Sequence, residues 1–348
     1  MGLLKPNRSQ LIQKVPGIHS AMSGTTSNEI LSNSASVVPI SALFSVPQAI
    51  ELKRSVEELC QSPDLHRLIL DFSQTTFMDS SGIGALISCR KMAEASNVEL
   101  SLRGLKPQVR LILTMTELDQ VFNIEETAEE TAEQVQPPVQ PSEIVTHPSV
   151  HSRAKRAIDI LGAIIGLMIT VLIGIPVAIA IKLEDGGPIF FSQTRCSWMG
   201  RPFRIWKFRS MVTDAELRKA EVKNQIQGAF FKNENDHRIT RVGKLLRRTS
   251  LDELPQFWNV LVGEMSLVGT RPPTLDETEH YEIPQWRRLD IKPGMTGEWQ
   301  VNGRSQVKNF EDVVQLDLNY QQHWSLWYDI RLILKTVGVV LNRNSGAC

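Results

Sequence analysis

The chain holds 348 residues in which 38 Lys and Arg balance 38 Asp and Glu; this is length enough for two modest domains, the balanced total argues neither for nor against nucleic acid or acidic lipid, and no nucleic acid partner is expected. Its cysteines, Cys60, Cys89, Cys196 and Cys348, are scattered without a C-x-x-C pair, which argues against a disulfide framework or zinc site and fits a reducing cytosol. Acids gather at 117–133 and bases between 153 and 248, so the second half is the one suited to phosphate or anionic lipid.

Residues 1–36, rich in Ser, Asn and Gly, read as a mostly disordered leader without the charged-then-apolar layout of a signal peptide. From 37 onward strands and helices alternate. V-V-P-I-S-A-L-F (37–44) reads as a strand, Pro47 to Cys60 as a helix opened by its proline, 65–72 and 98–104 as strands, and 107–121 as a closing helix. Between them F-M-D-S-S-G-I-G-A-L-I (77–87) turns directly into an amphipathic helix. That order packs helices against a small sheet. D-S-S-G-I-G in this position resembles the STAS domain of anti-sigma-factor antagonists over residues 37–133. The resemblance implies phosphorylation of Ser80 and a kinase, phosphatase or other protein partner. Asp79, Ser80 and Ser81 equally suit helix capping, and both readings stand. Residues 134–152 turn to Pro and Gln, the composition of a semi-rigid linker.

From Ile160 to Ile181 nearly every residue is apolar, about 33 Å of helix and enough to cross a bilayer core. Basic residues flank both ends: Arg153, Lys155 and Arg156 before, Lys182, Arg195 and Arg201 after. Both flanks therefore read as cytoplasmic. Pro176 removes a backbone donor and offers a bend, so 153–182 is expected to be a re-entrant helix-break-helix. Lys155 and Arg156 are expected to meet anionic headgroups, or simply to snorkel, and Asp159 to reach a basic group at the interface.

The remaining chain, 183–348, is organised around R-R-T-S-L-D-E-L-P (247–255). Thr249 and Ser250 suit a helix start, so Asp252 and Glu253 alone would read as first-turn acids that complement the helix dipole. Their company is distinctive: K-F-R-S-M at 207–211, R-I-T-R-V-G-K at 238–244, G-T-R-P at 269–272, and K-P-G-M-T-G-E-W-Q-V-N-G-R-S at 292–305. In this order the motifs closely resemble the bacterial sugar transferases, the monotopic polyprenyl-phosphate hexose-1-phosphate transferases, over residues 153–340. The resemblance also covers K-R-x-x-D at Lys155, Arg156 and Asp159. The family often has Pro where this chain has Thr270, which predicts a looser turn before Arg271.

The resemblance implies an α/β protein in which a STAS-like sheet with helices precedes a mostly helical monotopic transferase at the cytoplasmic face of the bacterial inner membrane. It implies that Asp252 attacks the diphosphate of a UDP-sugar, that UMP leaves, and that polyprenyl phosphate then takes the sugar phosphate. It also implies Mg2+ on Asp252, Glu253 as base or orienting group, and Arg247 and Arg271 on phosphate. Lys207 reads either as a headgroup-facing strand residue or as a phosphate ligand. Arg304 reads as a loop residue or a phosphate ligand, and Asp317 as the holder of a basic active-site residue. The tail 324–340 suits an interfacial helix. A second reading, a membrane-tethered STAS signalling module with an inactive transferase half, predicts partner binding that depends on Ser80. No motif encodes the sugar, the pathway, or whether the chain is a homo-oligomer.

Overall fold

The computed structural model describes residues 29–32, 35–126, 146–222, 236–303 and 309–341. The first unit is a five-stranded sheet in the order β1 (Glu29–Ser32), β2 (Ala35–Pro39), β4 (Arg67–Asp71), β6 (Glu99–Arg103), β7 (Asn123–Glu125). β2, β4, β6 and β7 run parallel, and β1 pairs antiparallel with β2. The two-residue strands β3 (Leu43–Phe44) and β5 (Phe77–Met78) pair beside it. β1 and the start of β2 lie inside the stretch read as leader.

Helix α1 (Val46–Cys60) buries Ala49, Leu52 and Val56 at helical spacing, and α2 (Ser80–Ala95) is capped by Asp79, whose carboxylate accepts from the amides of Ser81 and Gly82. α3 (Pro107–Met115) ends earlier than its periodicity predicts, because Glu117 takes the left-handed conformation at φ 61° and a short 3-10 turn follows.

After the short helix α4 (Pro148–His151), helix α5 runs unbroken from Arg153–Asp185 with Pro176 inside it. The expected helix-break-helix is therefore corrected to one long helix. A proline withholds a single N–H, and packing on both sides of it keeps the helix going. Before Pro176, Ala163 packs with Phe203, Ile205 and Val260; after it, Val177 and Ile181 pack with Phe208 and Leu246. The opposite side is apolar and bare, with Leu172 76% and Leu183 83% exposed. By length and composition this helix can cross a membrane.

The second half continues with the antiparallel hairpin β8 (Phe190–Cys196) and β9 (Pro202–Phe208), then α6 (Arg241–Arg248), α7 (Gln256–Val262), β10 (Ser266–Val268), α8 (Leu275–Glu279), a 3-10 segment Ile283–Asp290, and β11 (Gly294–Thr296) parallel to β10. Helices α9 (Phe310–Gln322) and α10 (Leu326–Leu341) close the chain. The largest apolar core is shared: Phe44, Met78 and Ile83 of the sheet unit join Tyr281, Trp286 and Leu289 of the second half.

Candidate active site

Asp252 and Glu253 do not open a regular helix. α6 ends at Arg248, Ser250 is left-handed at φ 56°, and Leu251–Glu253 form a 3-10 turn before α7. A non-glycine residue in that conformation is costly unless its surroundings hold it, which fixes the turn carrying both carboxylates. Asp252 is buried, and burial pushes its carboxyl above the usual carboxylate range; Glu253 adds to the rise, while Lys207 and Arg247 oppose it. Lys207, on β9, donates to Glu253 Oε1 at 2.8 Å. The lysine thus stands beside the two carboxylates.

A second group lies next to the first. Arg271 grips Glu277 with two hydrogen bonds of 2.8 and 3.1 Å, and Glu277 also forms a capping box with Thr274. Burial alone would raise the Glu277 carboxyl; the charge and hydrogen bonds of Arg271, with Arg195, hold it below its usual value. Arg195, on β8, donates to Gln193 Oε1 and to the Pro272 carbonyl at 2.9 Å. Burial, then the neighbouring Arg271, push its guanidinium down to about 10, still protonated at neutral pH. Both Glu277 and Glu253 act on Arg195, so the acidic turn and the arginine pair share one field. In the sequence Arg195 stood out only as one of the basic residues that follow the apolar stretch. Glu277 gave no signal beyond its capping pattern.

Several predicted residues sit elsewhere. Lys155 is buried and donates to Asp329 Oδ2 at 2.6 Å and to the Val268 carbonyl at 3.0 Å, so it does not meet headgroups. Arg156 donates to the carbonyls of Val260 and Leu261 at the end of α7, a helix C-terminus that favours a cation. Asp159 accepts from Ser266 Oγ and the Leu267 amide, both at 2.9 Å, rather than from a basic group. These charges are inside the fold, where each needs a hydrogen-bonding partner. Asp317 pairs with Arg288 at 2.7 Å, both almost wholly buried, so the arginine it holds is a core residue that also donates to Tyr281 Oη. Thr270 is buried and donates to the Arg288 carbonyl at 3.1 Å, so the turn before Arg271 is tethered, not loose. Ser80 is fully buried against the second half. Arg304 lies outside the described residues.

The Bacterial sugar transferase family matches residues 150–343, and the STAS domain matches residues 28–131. The chain belongs to the bacterial sugar transferase family and carries an N-terminal STAS domain. It is 54% identical over 193 residues to the galactosyl transferase CpsE of Streptococcus agalactiae, covering 55% of this chain and 43% of that protein. It is 37% identical over 199 residues to the exopolysaccharide production protein ExoY of Rhizobium meliloti, covering 55% of this chain and 88% of that protein. The chain is also similar to the phosphorylated form of the Bacillus cell fate determinant SpoIIAA at 19% identity and TM-score 0.26, covering 32% of this chain and 98% of that one. The chain thus spans less than half the length of CpsE.

Proposed function

We propose that the protein transfers a hexose 1-phosphate from a UDP-hexose to undecaprenyl phosphate at the cytoplasmic face of the bacterial inner membrane, the first membrane step of a surface polysaccharide. The observation that carries this reading is the buried Asp252 beside Glu253, in the field of Lys207 and Arg247, with Arg271 and Arg195 adjoining. Relatives named as undecaprenyl-phosphate galactose phosphotransferase and UDP-glucose:undecaprenyl-phosphate glucose-1-phosphate transferase support the substrate class.

In the first step an Asp252 carboxylate oxygen forms a bond to the β-phosphorus, the bond from that phosphorus to the bridging oxygen breaks, and UMP leaves with the electron pair. Arg271 and Arg195 suit the phosphate oxygens, since planar guanidinium groups match them bidentately. In the second step an oxygen of undecaprenyl phosphate attacks the same phosphorus, and Asp252 leaves as the carboxylate. Glu253, held by Lys207, accepts any proton that this acceptor still carries. Asp252 and Glu253 fit the way Mg2+ is bound by one or two carboxylates plus substrate phosphate, and the ion would neutralise charge between the anions. Helix α5, with its bare apolar side, anchors the protein where the lipid substrate lies.

The test is UMP release by detergent- or nanodisc-held protein from a panel headed by UDP-galactose and UDP-glucose, with undecaprenyl phosphate and Mg2+, beside Asp252→Asn. Release that depends on one donor and vanishes in the variant supports the reading. Absence of release from every donor by folded protein refutes it.

A further inference from the structure

The D-S-S-G turn at the start of α2 faces the transferase domain, not solvent. Ser80 Oγ lies 2.6 Å from the Trp286 carbonyl and 2.7 Å from Asp290 Oδ1, and the Ser80 amide donates to the same carboxylate at 3.1 Å. Asp290 therefore caps α2 from the other domain. One turn further along, Gly84 lies flat on the Trp286 indole; a Cβ there would come within 2.4 Å of the ring. At the rim Lys91 reaches Glu279 at 3.4 Å. The contact is apolar at its centre and hydrogen-bonded at one end, the anatomy of a specific docking face.

The docked segment, Ile283–Asp290, also grips the phosphate-binding turn. The Arg288 carbonyl accepts from Thr270, the residue before Arg271, while the Arg288 side chain is locked by Asp317 and Tyr281. From the other side, the Pro272 carbonyl accepts from Arg195 and the Pro273 carbonyl from the Cys196 amide. The path from Ser80 to Arg271 thus runs through hydrogen-bonded and packed groups without a gap.

We propose that the partner of the STAS domain is the transferase domain of its own chain, and that docking of α2 on Ile283–Asp290 sets the position of the Arg271 turn and so the affinity of the site for a nucleoside diphosphate. The proposal rests on the assignment of Arg271 to substrate phosphate. Two arrangements follow, docked with a fixed turn and undocked with a loosened one, and a change at the STAS surface is read at the site as a change in population.

The experiment uses the full chain in nanodiscs, with hydrogen exchange followed in peptides covering 266–274 and 283–290 and with UDP as the binding probe. Gly84→Leu drives a wedge against Trp286; Asp290→Asn keeps an acceptor for Ser80 and removes the charge. Gly84→Leu is expected to speed exchange in both segments and to weaken UDP binding about tenfold, while Asp290→Asn stays docked. Should Gly84→Leu fail to fold, Ser80→Asp, which sets a carboxylate against Asp290 and Asp79, is the second wedge. Faster exchange at 283–290 with an unchanged 266–274 would make the contact merely structural and overturn the proposal, as would no change in either segment. UMP release is read in parallel. Its absence in the unmodified protein would refute the transferase reading, while exchange still decides the coupling.

Discussion

The transferase domain holds two clusters of buried charge that differ in how their carboxylates are satisfied. At the foot of α5, Asp329 takes Lys155 at 2.6 Å, Tyr320 Oη at 2.6 Å and Trp324 Nε1 at 3.1 Å, so every part of it is held by protein. At Asp252, among the described residues, no cation comes within ion-pair distance, and the nearby Lys207 is held by Glu253 instead. The first carboxylate is a finished structural joint. The second is buried, raised in pKa and, among the described residues, left without a direct cationic partner, which suits the nucleophilic role proposed for it.

The largest test of that difference swaps the same chemical change between the two. Asp252→Asn is expected to lower UMP release by at least about a thousandfold with the melting temperature equal or higher, because a strained anion is replaced by a neutral group. Asp329→Asn is expected to cost about 3–5 kcal/mol of stability by leaving Lys155 charged and buried, with the folded fraction still active. Thermal melts and single-turnover assays on both variants separate the outcomes; a stable, inactive Asp329→Asn would erase the distinction.

Lys207→Met sharpens the same contrast from the electrostatic side. If the ionised form of Asp252 attacks, as proposed, the rate is expected to rise with pH through its raised pKa, which Lys207 holds down. Removing the lysine is expected to move the acid limb of the pH–rate profile to higher pH. An unmoved limb would place the titration on another group.

A third carboxylate, Asp290, belongs to neither cluster. Burial, then the charge of Asp79, push it up to about 7, with Arg287 at 3.9 Å pulling the other way. Unfolded, an aspartate loses its proton near pH 4, so between about 4 and 7 the native chain binds the extra proton and stability falls as pH rises. Asp290→Asn is expected to flatten that slope, a smaller effect than Asp252→Asn or Asp329→Asn, checked by denaturant melts from pH 4.5 to 8.

Helical spacing made α1 legible, since its burial at Ala49, Leu52 and Val56 follows the chain's own period, while β4 was legible from its continuous apolar run, buried at Leu68, Ile69 and Leu70 alike. The acidic turn was legible because its residues are neighbours in sequence. What the chain hid are the long-range satisfactions: Lys155 meets Asp329 across 174 positions, and Ser80 meets Asp290 across 210. A basic flank beside an apolar helix looks the same in sequence whether it faces lipid or its own fold. Pro176 was misjudged for a related reason, because the side of α5 that packs on β9, α6 and α7 supports the helix past the missing donor.

The smallest expected effect falls at Thr270. Its hydroxyl ties the Arg271 turn to the Arg288 carbonyl, and both groups are buried. Thr270→Val keeps the shape and deletes the bond, leaving that carbonyl without this donor at a cost of about 1 kcal/mol. Were the tether only part of the core, the melting temperature would fall and the kinetic constants would stay. If it also aims Arg271, the KM for the nucleotide sugar rises while kcat holds, because phosphate binding weakens in the ground and transition states alike. Steady-state kinetics beside a thermal melt distinguishes the two, and the same variant should raise exchange at 266–274 without disturbing 283–290, since it cuts the path one step beyond the docked segment.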